Sequence, residues 1–249
     1  MLGLRTWKGA LFLGIRAILW DIDDTLLAFP PAEAEALRLA LLACGRPEPT
    51  AAQTARYSAI NLACWKALER GELSREALRV SRFRRFLAGE GWDAALAGAV
   101  AARYEAELAA QVYFVPGALE LVTALRGRLG QYAASNGTRR VQLPRLARAG
   151  LDRLLDGVFL SEVLGAEKPD SAFFDAVCAH LPGLARREIM MVGDSLSSDV
   201  LGGLRSGLVT CWYNPEGQAR RIPEQPDYEI RSLDALPGIL EALGIGKTD

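Results

Sequence analysis

Three observations predict a doubly wound α/β fold interrupted by a helical insert. From Pro116 onward, short apolar runs alternate with helical stretches, the pattern of a parallel sheet covered on both faces. Near the start, Ala17-Ile18-Leu19-Trp20 is another such run, and it climbs to acids at alternate positions, Asp21 and Asp23, before Thr25 closes it. Between these regions, up to about Val112, an alanine-rich helical pattern runs without a strand candidate.

Taken in order, residues 1–14 read as an extension ahead of the domain. Gly9–Ile15 is apolar after Arg5 and Lys8, but Arg16 breaks the run and no A-x-A site follows, so a secretory leader is not expected. The run is also too short to span a bilayer. The first strand, Ala17–Trp20, is followed by Leu26–Phe29 and the stiff pair Pro30-Pro31. A helix is expected from Ala32 to Cys44, ended by Gly45 and Pro47. Thr50 with Gln53 forms a capping box for a second helix carrying Ile60, Trp65 and Leu68. Ser74 caps a third, and Asp93 a fourth whose stripe is Leu96, Val100, Tyr104 and Leu108.

After Pro116-Gly117 the expectation is a helix over Ala118–Leu129, then the strand Gln131–Ala134 ending at Ser135-Asn136-Gly137. Pro144 lies in the next helix, which must start late or kink. Val158–Leu160 is a strand, and the stretch after Lys168-Pro169-Asp170 is a helix. Ile189–Val192 leads to Gly193-Asp194-Ser195 and a helix stopped by Gly207, and Val209–Tyr213 and Tyr228–Ile230 complete the sheet. The domain plan is an extension over 1–14, an α/β core from 15–29 and 113–249, and a helical insert over 30–112.

A chain of 249 residues, half of them apolar, can build a sizeable core. Its 29 basic and 30 acidic side chains give no general attraction to nucleic acid or an anionic membrane. Cys44, Cys64, Cys178 and Cys211 are scattered without C-x-x-C spacing, which argues against a zinc cluster or disulfide framework and suits reduced thiols in the cytoplasm. The one histidine, His180, leaves little material for a multi-histidine metal site or a Ser-His-Asp triad, and it reads as structural beside Pro182.

A parallel sheet gathers its carboxyl ends at one edge, where open α/β folds bind ligands. Four such ends carry polar residues here: Asp21 and Asp23; Ser135 and Asn136; the Lys168 loop; and Asp194 with Asp199. Asp21 and Asp194 can hold Mg²⁺, a hard cation that takes oxygen ligands, and Asp199 can orient that shell from behind. Ser135, backbone N–H groups near Asn136, and Lys168 supply donors and positive charge for a tetrahedral anion. Singly, each segment is equally a turn, a cap or a helix start. Their order and shared position at strand ends make the set informative.

The set Asp21-x-Asp23-x-Thr25, Ser135-Asn136-Gly137, Lys168-Pro169 and Gly193-Asp194-x4-Asp199 resembles the four motifs of the haloacid dehalogenase-like superfamily. The helical insert sits where that superfamily carries an all-helical cap. Within it, Asp21-Ile22-Asp23-Asp24-Thr25-Leu26-Leu27 and Gly202–Gly207 followed by Thr210-Cys211-Trp212-Tyr213-Asn214-Pro215 are similar to the pyrimidine 5′-nucleotidases. The resemblance implies that Asp21 takes the phosphoryl group as an aspartyl-phosphate. It implies that Asp23 protonates the leaving alkoxide, later deprotonates water, and reaches the metal through its backbone carbonyl. Thr25, Ser135, Asn136 and Lys168 would contact substrate, and Asp21, Asp23, Asp194 and Asp199 would form the Mg²⁺ site. Dehalogenase and phosphonatase members lack an acid at the position of Asp23, so its presence favours phosphatase chemistry. Asp24 stands where many relatives have glycine.

The implied enzyme is a Mg²⁺-dependent phosphomonoesterase of the cytoplasm, monomeric or homodimeric, acting on a small-molecule phosphate monoester and not on nucleic acid or membrane. A sugar-phosphate or phosphoglycolate phosphatase with the same machinery is the alternative, and a non-catalytic binding protein on this scaffold a remoter one. The cap is expected to exclude water and read the leaving group. Trp65, Asn61 and Phe29 are candidates to touch a base, though residues at such spacing usually belong to the core. Arg79, Arg82 and Arg85 share a helix face that reads as solvated rather than as a phosphate or nucleic-acid patch.

Overall fold

The computed structural model describes residues 5–7, 10–12 and 14–245. Its strands in chain order are β1 (Arg5–Trp7), β2 (Ala10–Phe12), β3 (Ala17–Trp20), β4 (Gly130–Ser135), β5 (Gly157–Leu160), β6 (Ile189–Gly193), β7 (Val209–Tyr213) and β8 (Tyr228–Ile230). β1 and β2 pair as an antiparallel ribbon inside the expected extension, most of whose other residues lie outside the described ones. The remaining six form one sheet in the order β5-β4-β3-β6-β7-β8, every neighbouring pair parallel. All four residues of β3 and all five of β6 and β7 are buried, as strands covered on both faces must be. Register pairs Trp20 with both Ala133 and Val192, so Asp21, Ser135 and Asp194 emerge at the same edge.

Two compact units account for the chain. The first takes residues up to Leu27, Phe114–Arg139 and Ala149 onward; the second takes Ala28–Tyr113 and Arg140–Arg148. The sequence places residues 140–148 with the α/β part, whereas in the structure they count with the helices, where Val141 joins the apolar core.

In the first unit, a helix over Ala118–Leu125 stops short of the expected Leu129, because Arg126 turns out of helical geometry and Gly127 takes a left-handed φ of 72°. The stretch after Asp194 begins as a widened π-type turn, Leu196–Val200, before the helix Leu201–Arg205. His180 caps the helix Ser171–Ala179, with its Nδ1 2.8 Å from the Ala176 carbonyl oxygen.

The second unit holds α1 (Phe29–Ala43), α2 (Ala51–Glu69), α3 (Arg75–Gly89) and α4 (Ala97–Leu108). α1 starts three residues earlier than the sequence suggests because Pro30 and Pro31 sit in its first turn, where no N–H is needed. Thr50 and Gln53 form the reciprocal capping box of α2, and Ser74 caps α3. Asp93 caps a short 3₁₀ turn that feeds α4. Tyr57, Phe83, Phe86 and Tyr104 stack and edge against one another in a fully buried cluster, with ring centroids between 5.1 and 5.6 Å apart. The helix Arg139–Arg148 neither starts late nor breaks at Pro144. The carbonyl that Pro144 leaves without a helical partner belongs to the exposed Arg140, where water can replace the missing bond.

A further expectation fails in this unit. Arg79 and Arg85 are exposed, but Arg82 is buried and does not lie on a solvated face. Its Nη1 donates to Asn61 Oδ1 at 2.7 Å, and its guanidinium lies 5.0 Å from the centre of the Phe83 ring and 5.1 Å from that of Tyr104. Asn61 in turn donates to Glu33 at 2.6 Å, and Ser58 donates to the other Glu33 oxygen. Partners on α1 and α2 therefore take the charge inward, a fact that periodicity within α3 does not contain. Trp65 and Phe29 pack partly buried against apolar clusters. No helix among the described residues is long and apolar enough to cross a membrane.

Candidate active site

The central feature is a buried ammonium group. Lys168 Nζ lies 2.7 Å from Asp21 Oδ1, 2.7 Å from Asp199 Oδ1 and 2.7 Å from the carbonyl oxygen of Ala134. Those contacts occupy its three donors, so a side chain only 1% exposed can stay charged. Burial alone would lower the Lys168 value, but Asp199 and Asp21 overcome it and raise it.

Each partner is placed by the sheet. Asp21 is the first residue beyond β3, and its N–H donates to the Val192 carbonyl of the neighbouring strand at 2.9 Å. Beyond it, Ile22–Leu27 folds into a tight loop in which the Leu26 and Leu27 N–H groups both return to the Ile22 carbonyl. Asp24 holds φ 59°, and among the described residues it is the one non-glycine in the left-handed region. That conformation suits glycine best, and aspartate visits it more readily than most side chains. Asp23 is half-buried in the same loop and adds to the negative field on Asp21.

On the other side of β3, Ser135 ends β4 buried, and its Oγ accepts the Gly137 N–H at 2.9 Å. Asn136 turns its side chain onto the Lys168 main chain: Nδ2 donates to the Lys168 carbonyl at 2.8 Å, and the Lys168 N–H donates to Oδ1 at 2.9 Å. Thr25 faces the last acidic loop, with its Oγ1 accepting the Asp194 N–H at 3.1 Å and lying 3.5 Å from Asp194 Oδ1. Asp199 is 1% exposed, and its second oxygen accepts the Ser195 N–H at 3.1 Å. A Cβ on Gly193 would lie 2.2 Å from Asp199 Oδ2, so only glycine lets the strand pass this carboxylate.

Sequence reasoning assigned no role to Trp212. It lies buried on β7, and its Nε1–H donates to the Asp194 carbonyl at 2.8 Å. The available signal was general: a tryptophan in a fully buried strand needs a partner for its N–H.

Asp21, Asp194 and Asp199 each present an oxygen within 4.8 Å of the others. Three acids against one lysine leave uncompensated negative charge, which adds to the effect of burial on the carboxyls of Asp21 and Asp194. Burial raises Asp21 to about 8 despite Lys168, with Asp199 and Asp23 adding to the rise. Burial also raises Asp194 well above the ordinary carboxylate value, reinforced by Asp21, Asp199 and Asp24. A divalent cation bound by oxygen would relieve this repulsion, so the donor set fits one. Both Asp199 oxygens already accept hydrogen bonds, which leaves Asp21 and Asp194 as the better direct ligands.

The chain is similar to proteins already known. The family profile of haloacid dehalogenase-like hydrolases matches residues 15–207. Pyrimidine 5′-nucleotidase PynA of Streptococcus pneumoniae is 36% identical over 90% of this chain and 94% of its own length. Pyrimidine 5′-nucleotidase YjjG of Escherichia coli is 31% identical over 74% of this chain and 80% of its own. The magnesium-bound crystal structure of the HAD-hydrolase YfnB of Bacillus subtilis superposes with a TM-score of 0.85 at 35% identity, covering 91% of this chain and 99% of that one.

Proposed function

The chain belongs to the haloacid dehalogenase-like hydrolase family, and we propose that within it the protein is a Mg²⁺-dependent phosphomonoesterase selective for pyrimidine nucleoside 5′-monophosphates. The observation that carries the chemistry is Lys168 joining Asp21 and Asp199 beside Asp194. The substrate class rests on the similarity to PynA and YjjG over most of their lengths. In this reading the α/β unit carries the reaction, and the helical unit, Ala28–Tyr113 with Arg140–Arg148, is the family's cap.

Asp21 attacks phosphorus, forming the aspartyl P–O bond as the P–O bond to the nucleoside breaks. Asp23 gives its proton to the departing 5′-alkoxide, then takes one from the water that attacks the aspartyl-phosphate and releases orthophosphate. Ser135 and the backbone N–H groups around Asn136 bind the phosphoryl oxygens, and the fixed charge of Lys168 offsets their negative charge. Asp21, Asp194 and the backbone carbonyl of Asp23 would hold Mg²⁺, with Asp199 orienting the set and Thr25 steadying Asp194. Bound there, the ion neutralises charge on the phosphoryl group. The same reading makes the protein cytoplasmic, a monomer or homodimer, with no nucleic acid or membrane partner.

The test is kcat/KM with Mg²⁺ for UMP and dTMP against purine monophosphates, phosphoglycolate and hexose phosphates. The pyrimidine nucleotides are expected to lead by about tenfold or more, the net worth of about one hydrogen bond. A lead for phosphoglycolate or a hexose phosphate overturns the specificity, and hydrolysis of none of them overturns the phosphatase.

A further inference from the structure

We propose that Trp212 is a positioning residue for the divalent-cation site, its indole N–H fixing the peptide group from which Asp194 projects its carboxylate. The inference rests on the assignment of Asp21 and Asp194 as Mg²⁺ ligands. It concerns a residue for which the motifs assign no task.

Asp194 is the first residue beyond β6, where the ladder no longer holds the chain. Its two peptide groups are nevertheless each held by a side chain. The N–H on one side goes to Thr25 Oγ1 at 3.1 Å, and the carbonyl on the other receives the Trp212 indole at 2.8 Å. With both peptide planes set, the carboxylate keeps only its own side-chain rotations, and its direction toward Asp21 is largely decided in advance.

Two other polar side chains of the same segment, Thr210 and Asn214, are engaged elsewhere. Thr210 exchanges hydrogen bonds with Asp227, and Asn214 bonds Glu229 and both main-chain groups of Gln218. Those contacts tie β7 to β8 and to the loop between the two strands. Trp212 instead reaches back to the acidic loop, and at 2% exposure its ring is too confined to swing away. Partners of this kind, one step behind a ligand, commonly change metal affinity by ~10- to 100-fold when removed.

The experiment compares wild type with Trp212→Phe, which keeps an aromatic ring in the strand and removes the donor. Calorimetric titration of metal-free protein with MgCl₂ is expected to show a dissociation constant about tenfold higher in the variant. The rise in melting temperature that Mg²⁺ confers on the wild type should shrink accordingly. Replacing Trp212 with benzothienylalanine, which puts sulfur in place of the N–H at nearly constant shape, is expected to give the same loss and serves if the phenylalanine variant does not fold. Unchanged Mg²⁺ affinity in the folded variant overturns the proposal, even if both metal-free and loaded forms melt lower by equal amounts. Wild type that binds no Mg²⁺ overturns the cation site itself, and this role with it.

Discussion

The side-chain amide of Asn136 grips the main chain of Lys168 in both directions, at 2.8 and 2.9 Å, while the Ala134 carbonyl holds the tip of the same lysine at 2.7 Å. Two residues of β4 and its turn thus fix both ends of one side chain from the next loop. The Asn136 carboxamide is spent on this grip, so its service to substrate falls to its backbone N–H. Asn136→Ala is expected to lower kcat by about 10- to 100-fold through misplacement of Lys168, with KM changing less. Steady-state kinetics decide it: a rise in KM alone would put the carboxamide on the substrate instead.

Asp21→Asn removes the nucleophile while leaving Lys168 bonded to Asp199 and Ala134. Phosphatase activity should fall by about 10³-fold or more, with the fold retained by circular dichroism. Turnover within tenfold of wild type would rule out the covalent route.

Gly193→Ala places a methyl group 2.2 Å from where Asp199 Oδ2 now sits. Asp199 cannot easily retreat, because Lys168 and the Ser195 N–H hold it. The expected cost is ~1–3 kcal/mol of stability, read by denaturant melts, together with a loss of activity that added Mg²⁺ does not restore.

Glu33, in the helical unit, offers a dependence on pH. Burial raises its carboxyl above 4.5, against the hydrogen bonds from Ser58 and Asn61 and the charge of Arg82. The folded protein therefore holds this proton more tightly than the unfolded chain does. Its stabilising contribution is complete below 4.5 and is lost as pH climbs from there through the raised value. Melting temperatures across that interval should fall more steeply for wild type than for Glu33→Gln, and parallel curves would refute the assignment.

The strands of the parallel sheet and the edge at which Asp21, Ser135 and Asp194 emerge were legible because buried parallel strands are continuous apolar runs and their loops carry the polar residues. The capping box of α2 and the Ser74 and Asp93 caps were legible because they act within one turn of helix, whereas the prolines misled: Pro30 and Pro31 begin α1, and Pro144 lies inside a helix. What escaped depends on partners distant in the chain. Arg82 looks solvated until Asn61 and the Phe83 and Tyr104 rings are brought to it. Asn136 looks like a substrate contact until the Lys168 main chain arrives beside it. The π-type turn at Leu196–Val200, which carries Asp199 inward, has no periodic signature because it is a single widened turn.

The separations along the chain carry one more consequence. Asn61 meets Glu33 across 28 positions and Arg82 across 21, whereas Lys168 meets Asp21 across 147 and Asp194 meets Thr25 across 169. Closing long loops is what slows folding, and the reacting groups sit at the ends of long ones. The helical unit can consolidate from near neighbours while the chemistry must wait for the chain to return. In pulse-labelled hydrogen exchange during refolding, amides of α1–α4 should gain protection before those of β3 and β6, so that catalytic competence is the last property the protein acquires.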